Sequence, residues 1–158
     1  ATSDLIKRGF NVKLKIYGHG DPALEQELRS IANQLGVSNQ VDFEGFVDNE
    51  NRAAAFHEID ILLLSSENEN FAITVAESIV AGKPVIVSKY VAMQELVEIH
   101  QTGHVIGSLT ISEISNAVIS VAEKYSVYQE NCISTAHIFD WEYIMDNWFN
   151  ILFPVPKT

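Results

Sequence analysis

Basic side chains, cysteine and long apolar runs are all scarce in this chain of 158 residues. Ten Lys and Arg stand against twenty-one Asp and Glu, a formal net charge of −11. Like-charge repulsion therefore argues against nucleic acid or an acidic membrane surface as the main partner. The single cysteine, Cys132, excludes an internal disulfide and a thiolate metal cluster, and reads as an intracellular, cytoplasmic domain. Apolar stretches such as residues 61–64 and 84–87 fall far short of the ~18 to 20 residues that cross a bilayer, so no transmembrane segment is predicted. No charged segment followed by an apolar run opens the chain, and no signal peptide is visible. What is there, 47% apolar and 20% charged residues, is the composition of one folded domain.

Short β-rich runs alternate with longer helical patterns, the signature of a parallel sheet with crossover helices. The pattern predicts strands at 12–17, 41–45, 59–64, 84–88 and 104–106. After the first strand, Asp21-Pro22 offers a capping carboxylate and a preset first-turn φ for a helix. In that helix Leu24, Leu28, Ile31, Ala32 and Leu35 form one apolar stripe, and Gly36 can end it. The third strand is almost entirely Ile and Leu, which predicts cover on both of its faces. Helices are expected at 49–58, 71–80, 93–99 and 111–122, with two more in the tail. The last, over 140–153, is capped by Asp140 and carries Trp141, Ile144, Met145, Trp148 and Leu152 along one side. The fold class expected is α/β: one doubly wound, Rossmann-like parallel sheet of about five strands spanning residues 1–158.

The segment 61–87, ILLLSSENENFAITVAESIVAGKPVIV, carries the most chemistry. A buried strand delivers the chain to a polar loop, and a helix starts there, at the sheet edge where open α/β folds bind ligands. The backbone amides of Phe71, Ala72, Ile73 and Thr74 would point out of the helix start, a favourable place for phosphate oxygens. Glu69 precedes the helix and Glu77 lies about a turn and a half inside it. Carboxylates there cannot hold phosphate, but they can accept hydrogen bonds from sugar hydroxyls. The segment suits a ligand with a diphosphate between two polyols.

These residues, a Glu-x7-Glu pair inside Ser-Ser-x-x-Glu-Asn-Phe and followed by Ala-Gly-Lys-Pro-Val-Ile, resemble the donor-binding half of the family 4 (group 1) retaining glycosyltransferases of the GT-B fold. Gly18-x-Gly20 after the first strand, Val41-x-Phe43-x-Gly45-Phe46-Val47 and Phe139-x-Trp141-Glu142 occur in the family's order, and the likeness extends over about residues 12–153. The resemblance implies that Glu69 contacts the transferred sugar and Glu77 the ribose hydroxyls. It also implies that the amides at Ala72, Ile73 and Thr74 hold sugar hydroxyls and diphosphate, and that Phe46 and Val47 pack against the base. Gly20, with Gly18, would approach the donor phosphate from the side.

The function implied is transfer of a hexose-type sugar from a nucleoside diphosphate sugar, UDP-linked, to a glycan or lipid-linked acceptor. Anomeric configuration is kept, and neither a cofactor nor a metal is expected, in accord with the lack of an Asp-x-Asp motif. The resemblance also implies partners outside the sequence: a first strand with its phosphate-facing loop and a basic pair, and an N-terminal acceptor domain. The helix 140–153 would pack toward that domain, and membrane association at the inner face would come through it. The 158 residues alone are then expected to be inactive or nearly so.

Departures from the family pattern are Ala72 where a glycine is usual, whose methyl is expected to crowd the sugar, and Val91-Ala92 in place of paired glycines. Two other functions compete. Gly18-His19-Gly20-Asp21-Pro22-Ala23 formally fits a dinucleotide-binding turn of an oxidoreductase, although Asp21 puts a carboxylate where pyrophosphate would sit. A non-catalytic α/β binding module is the other. His100 and His104 lack the glutamate of a zinc-protease helix, and Cys132 has no basic neighbour close in sequence and reads as a packing residue.

Overall fold

The computed structural model describes residues 1–70 and 72–145. The elements are α1 (Thr2–Lys7), β1 (Leu14–Tyr17), α2 (Pro22–Gln34), β2 (Val41–Gly45), α3 (Arg52–His57), β3 (Leu62–Leu64), α4 (Ile73–Val80), β4 (Val85–Ser88), α5 (Gln94–His100), β5 (Gly103–Ile106), α6 (Ile111–Glu123) and α7 (Tyr125–Thr135). Residues 141–145 are also helical. All strand pairs are parallel, as the alternation of strands and helices predicts.

The predicted start and stop of α2 hold. The Asp21 carboxylate accepts from the Ala23 amide at 2.9 Å, with Pro22 opening α2, and Gly36 ends that helix at φ +69°.

The core is built around β4. Val85, Ile86 and Val87 are 0% exposed and Ser88 is 1% exposed. Because successive strand residues point to opposite faces, Val85 and Val87 pack with Val75, Ile79, Val97 and Cys132, while Ile86 packs with Ile106, Ala117 and Val121. Helices α4, α5 and α7 thus contribute to one face and α6 to the other, the double winding expected of this fold class. Each such buried aliphatic side chain contributes roughly 1.5–3 kcal/mol. The strand that lies beside β4 comes so close that a Cβ on Gly103 would sit 1.8 Å from the Val85 carbonyl oxygen. Only glycine fits there.

Two expectations are corrected, and a third is qualified. Among the described residues the strands form two sheets, β1-β2 and β3-β4-β5, with no ladder between β1 and β3. The third strand is shorter than residues 59–64, and its three leucines are half-buried, since β3 is the edge of its sheet and not an interior strand. The α2 stripe does form one face, but that face is uncovered: Leu24 and Leu35 are 51% and 53% exposed, and Ala32 is the one buried residue of the helix.

Cys132 is fully buried in α7, its Sγ 3.4 Å from the Thr102 carbonyl oxygen, and burial pushes its thiol up to about 12. That environment favours the protonated, unreactive form, in agreement with a packing role. Of the helix expected over 140–153, residues 146–153 lie outside the described residues, Trp148 and Leu152 among them. Trp141 is exposed.

The start of α6 supplies a pH test. Thr110 caps the helix, and the Glu113 carboxylate accepts from the Gly107 and Ser108 amides and from the Ser108 hydroxyl. These donors hold the Glu113 carboxyl below the usual glutamate range, the Ser108 hydroxyl contributing most. A depressed carboxyl stabilises the fold above its unfolded-state value, and that contribution is lost as pH falls through the folded-state value. Glu113→Gln is therefore expected to lower the thermal midpoint at pH 7, with the difference from wild type shrinking as the pH is taken down through the carboxylate range. A gap that stays constant with pH would contradict this account.

Candidate functional site

The carboxyl end of β3 leads into the loop 65–70, and two sets of contacts fix that loop to the segment after β4. The buried Ser88 hydroxyl donates to the Ser66 carbonyl and accepts from the Tyr90 amide at 3.3 Å. Glu69 forms an isolated parallel bridge with Val91, and the Ala92 amide donates to the Glu69 carbonyl at 3.1 Å. Above these strand ends opens a cleft of about 460 Å³ lined by Asn68, Glu69, Asn70, Lys89, Tyr90 and Glu95, with others.

At the mouth of α4 the Glu69 carboxylate turns back to the helix and accepts from the Ala72 amide at 3.3 Å. Ala72 adopts φ +50°, ψ +52°, left-handed backbone that costs a side-chain-bearing residue roughly 1–2 kcal/mol. The glycine usual at this position has a conformational reason. The expected crowding of a sugar by the methyl is corrected, because Ala72 is 5% exposed and belongs to the core cluster under the site. One amide of the predicted cradle is thus engaged by Glu69. Those of Ile73 and Thr74 have no hydrogen-bond partner among the described residues, and both residues are exposed. Phe71 lies outside the described residues.

Glu77, half-buried on α4, is held by Arg52 at the first position of α3, Nη1 to Oε1 2.8 Å. Arg52 follows the turn that carries Phe46 and Val47. The same end of the molecule holds the glycine turn: the Gly18 amide donates to the Gly45 carbonyl at 2.7 Å, and the His19 ring stacks on Phe46 with centroids 5.4 Å apart at 8°. Phe46 is 61% exposed, Val47 is half-buried, and a second cavity of about 360 Å³ is lined by Gly18, His19, Gly20, Arg29 and Gly45, with others. The predicted residues therefore fall into two groups, Glu69, Ala72, Ile73, Thr74 and Glu77 at the end of β3, and Gly18, Gly20, Phe46 and Val47 at the ends of β1 and β2. The Arg52–Glu77 pair joins them.

Sequence reasoning missed Arg52, His19, Lys89 and Tyr90. For Arg52 the contact joins residues 25 positions apart on two different helices, which no single segment encodes. For the other three no local pattern marks the role. The rival dinucleotide turn loses its anion site, since the Asp21 carboxylate already occupies the start of α2. Among the described residues no group of three or more His, Cys, Asp or Glu side chains is placed to hold a metal ion, and no helix is long and apolar enough to cross a membrane.

A family model described as glycosyl transferases group 1 matches residues 1–137. Among curated proteins, an uncharacterized glycosyltransferase of Methanocaldococcus jannaschii is 33% identical over 93 residues, 59% of this chain and 23% of that protein. A phosphatidyl-myo-inositol mannosyltransferase of Mycobacterium leprae is 27% identical over 85% of this chain and 36% of its own length. The chain thus spans well under half the length of either relative. Among solved structures, a sucrose-phosphate synthase from Thermosynechococcus elongatus superposes with a TM-score of 0.78 at 21% identity, covering 96% of this chain and 41% of the other. Anabaena HepE in complex with UDP-glucose gives 0.74 at 23% identity, covering 91% and 41%.

The left-handed Ala72 generates a stability test. A β-branched residue is an outlier in that backbone region, so Ala72→Val is expected to lose about 1–3 kcal/mol in chemical denaturation, whereas Ala72→Gly stays within about 1 kcal/mol of wild type because relief of backbone strain offsets the lost methyl and the more flexible unfolded chain. A valine variant as stable as wild type would remove the strain argument.

Proposed function

The chain belongs to the glycosyl transferases group 1 family, and on that premise we propose that it is the nucleotide-sugar-binding half of a retaining glycosyltransferase. The donor in this reading is a nucleoside diphosphate hexose, UDP-linked. The acceptor is a glycan or lipid-linked sugar held by a domain outside these residues. The observation that carries the reading is the placement of Glu69 and Glu77 on either side of the α4 mouth, where two backbone amides lack partners among the described residues. The bound UDP-glucose of Anabaena HepE, a structural neighbour, supports the donor class.

The chemistry follows from this arrangement. The diphosphate sits at the amides of Ile73 and Thr74, favoured by the helix dipole. Glu69 accepts from hydroxyls of the transferred sugar and Glu77 from the ribose, Phe46 and Val47 form the nucleobase end, and Gly20, with Gly18, approaches the donor phosphate from the side. The bond from the anomeric carbon to the diphosphate oxygen breaks as a bond to the acceptor hydroxyl oxygen forms on the same face. The leaving phosphate takes the acceptor's proton, so no base from this chain and no metal or cofactor is assigned a step.

A further strand completes the sheet between β1 and β3, whose outer edges have no ladder partner among the described residues, and it would cover the half-buried leucines of β3. A polypeptide extended upstream to include that strand is expected to unfold at a higher denaturant midpoint than residues 1–158. An unchanged midpoint would count against the strand.

Titration of residues 1–158 with UDP or UDP-glucose is expected to shift the amide resonances of Glu69, Ile73, Thr74 and Glu77. No movement there at millimolar ligand would defeat the site. In the intact enzyme, Glu69→Gln is expected to lower the transfer rate on the order of 100-fold, and an unchanged rate would leave a non-catalytic binding module as the better description.

A further inference from the structure

Glu77 reaches its place with a partner that no local sequence pattern announces. Arg52 lies 25 positions away in sequence, on the helix that follows the turn of Phe46 and Val47. It engages one carboxylate oxygen, Oε1, through one guanidinium nitrogen. Both side chains are partly covered, at 37% and 28% exposure, so the pair is partly shielded from bulk water. Two costs make the arrangement informative. A cation in the first turn of α3 opposes the helix dipole, and a long side chain held in one geometry loses rotamer entropy. A surface ion pair of this kind contributes little to stability, so its effect has to be sought in what it orients.

We propose that Arg52 is a positioning residue for the donor: by fixing Oε1 it turns Oε2 of Glu77 toward the ribose hydroxyls. The proposal rests on the nucleotide-sugar reading of the site and adds to it a residue that sets how well the sugar of the nucleotide is read. The guanidinium also keeps Glu77 from presenting a bare negative charge to an incoming diphosphate. With a single nitrogen engaged, an ammonium can take over much of the contact, and Lys is the conservative replacement.

The test uses UDP and GDP, each paired with its 2′,3′-dideoxy form, titrated calorimetrically into wild type, Arg52→Ala, Arg52→Gln and Arg52→Lys, with thermal midpoints recorded for all four. Wild type is expected to prefer the nucleotide with ribose hydroxyls. In Arg52→Ala and Arg52→Gln, binding of the better of UDP and GDP weakens about tenfold, the scale of one charge-assisted hydrogen bond, while the dideoxy form changes by less than about twofold. Arg52→Lys restores most of the preference. A loss equal for both forms would mean that Arg52 acts on the phosphates or on folding, and no loss for either would mean that Glu77 needs no support. Each result overturns the positioning role while leaving the nucleotide reading intact. If wild type binds neither nucleotide, that reading falls and takes this proposal with it.

Discussion

Covering β4 on both faces is the constraint from which the site follows. A strand with no exposed face cannot tilt or slide without breaking packing on two sides at once, so its carboxyl end is a fixed point. Ser88 closes that strand and ties the β3 loop to it through the Ser66 carbonyl, and the next residues receive Glu69 in a parallel bridge. The polar loop 65–70 carries no apolar residue and could not hold a geometry of its own. It borrows one from β4. Helix α4 is anchored by the same core through Val75 and Ile79, so Glu77 and the amides of Ile73 and Thr74 ride on one rigid element, and Glu69 is tied to the same core through Val91 and Ala92.

That packing also explains where the local cost falls. The chain must turn sharply from the loop into α4 while keeping the residue at the turn inside the core. Ala72 meets both demands with a methyl that packs and a left-handed backbone that is strained. Glycine would adopt the backbone freely but would leave the methyl's space unfilled. The strain lies directly under the amides assigned to the donor, a common place for it, because a binding loop needs a backbone direction that unstrained geometry does not supply.

Much of the fold was legible in the sequence because its signals are local. Asp21-Pro22 and Gly36 mark helix ends by backbone and hydrogen-bond chemistry that the structure repeats, and the alternation of strand and helix patterns predicted the parallel pairing. The errors share a different cause. Leu24, Leu28, Ile31 and Leu35 do form one helix face, and Leu62 to Leu64 do form a strand, but periodicity reports that a face is apolar and not whether anything covers it. Separation of β1-β2 from β3-β4-β5 is a property of strand neighbours, which no single segment encodes. In the site, the Glu69 and Glu77 spacing was readable as a pattern on one helix start. The Arg52 contact was not, since it joins two crossover units.

In the proposed reading, a chain with a net charge of −11 must create local conditions under which a diphosphate is tolerated. The described residues do so with little added positive charge. Glu69 is directed onto a backbone amide, Glu77 is matched by Arg52, and Lys89 lines the cleft beside Tyr90. Each acid at the α4 mouth is thereby hydrogen-bonded along a direction set by the protein, and the partial positive charge of the helix start faces outward at Ile73 and Thr74. In the proposed reading, acids so restrained act as acceptors for hydroxyls on the two sugars while the amides between them take the phosphates. Discrimination then depends on the directions of the two carboxylates more than on their charge. For Glu77, that direction is set by a side chain belonging to the helix on the nucleobase side.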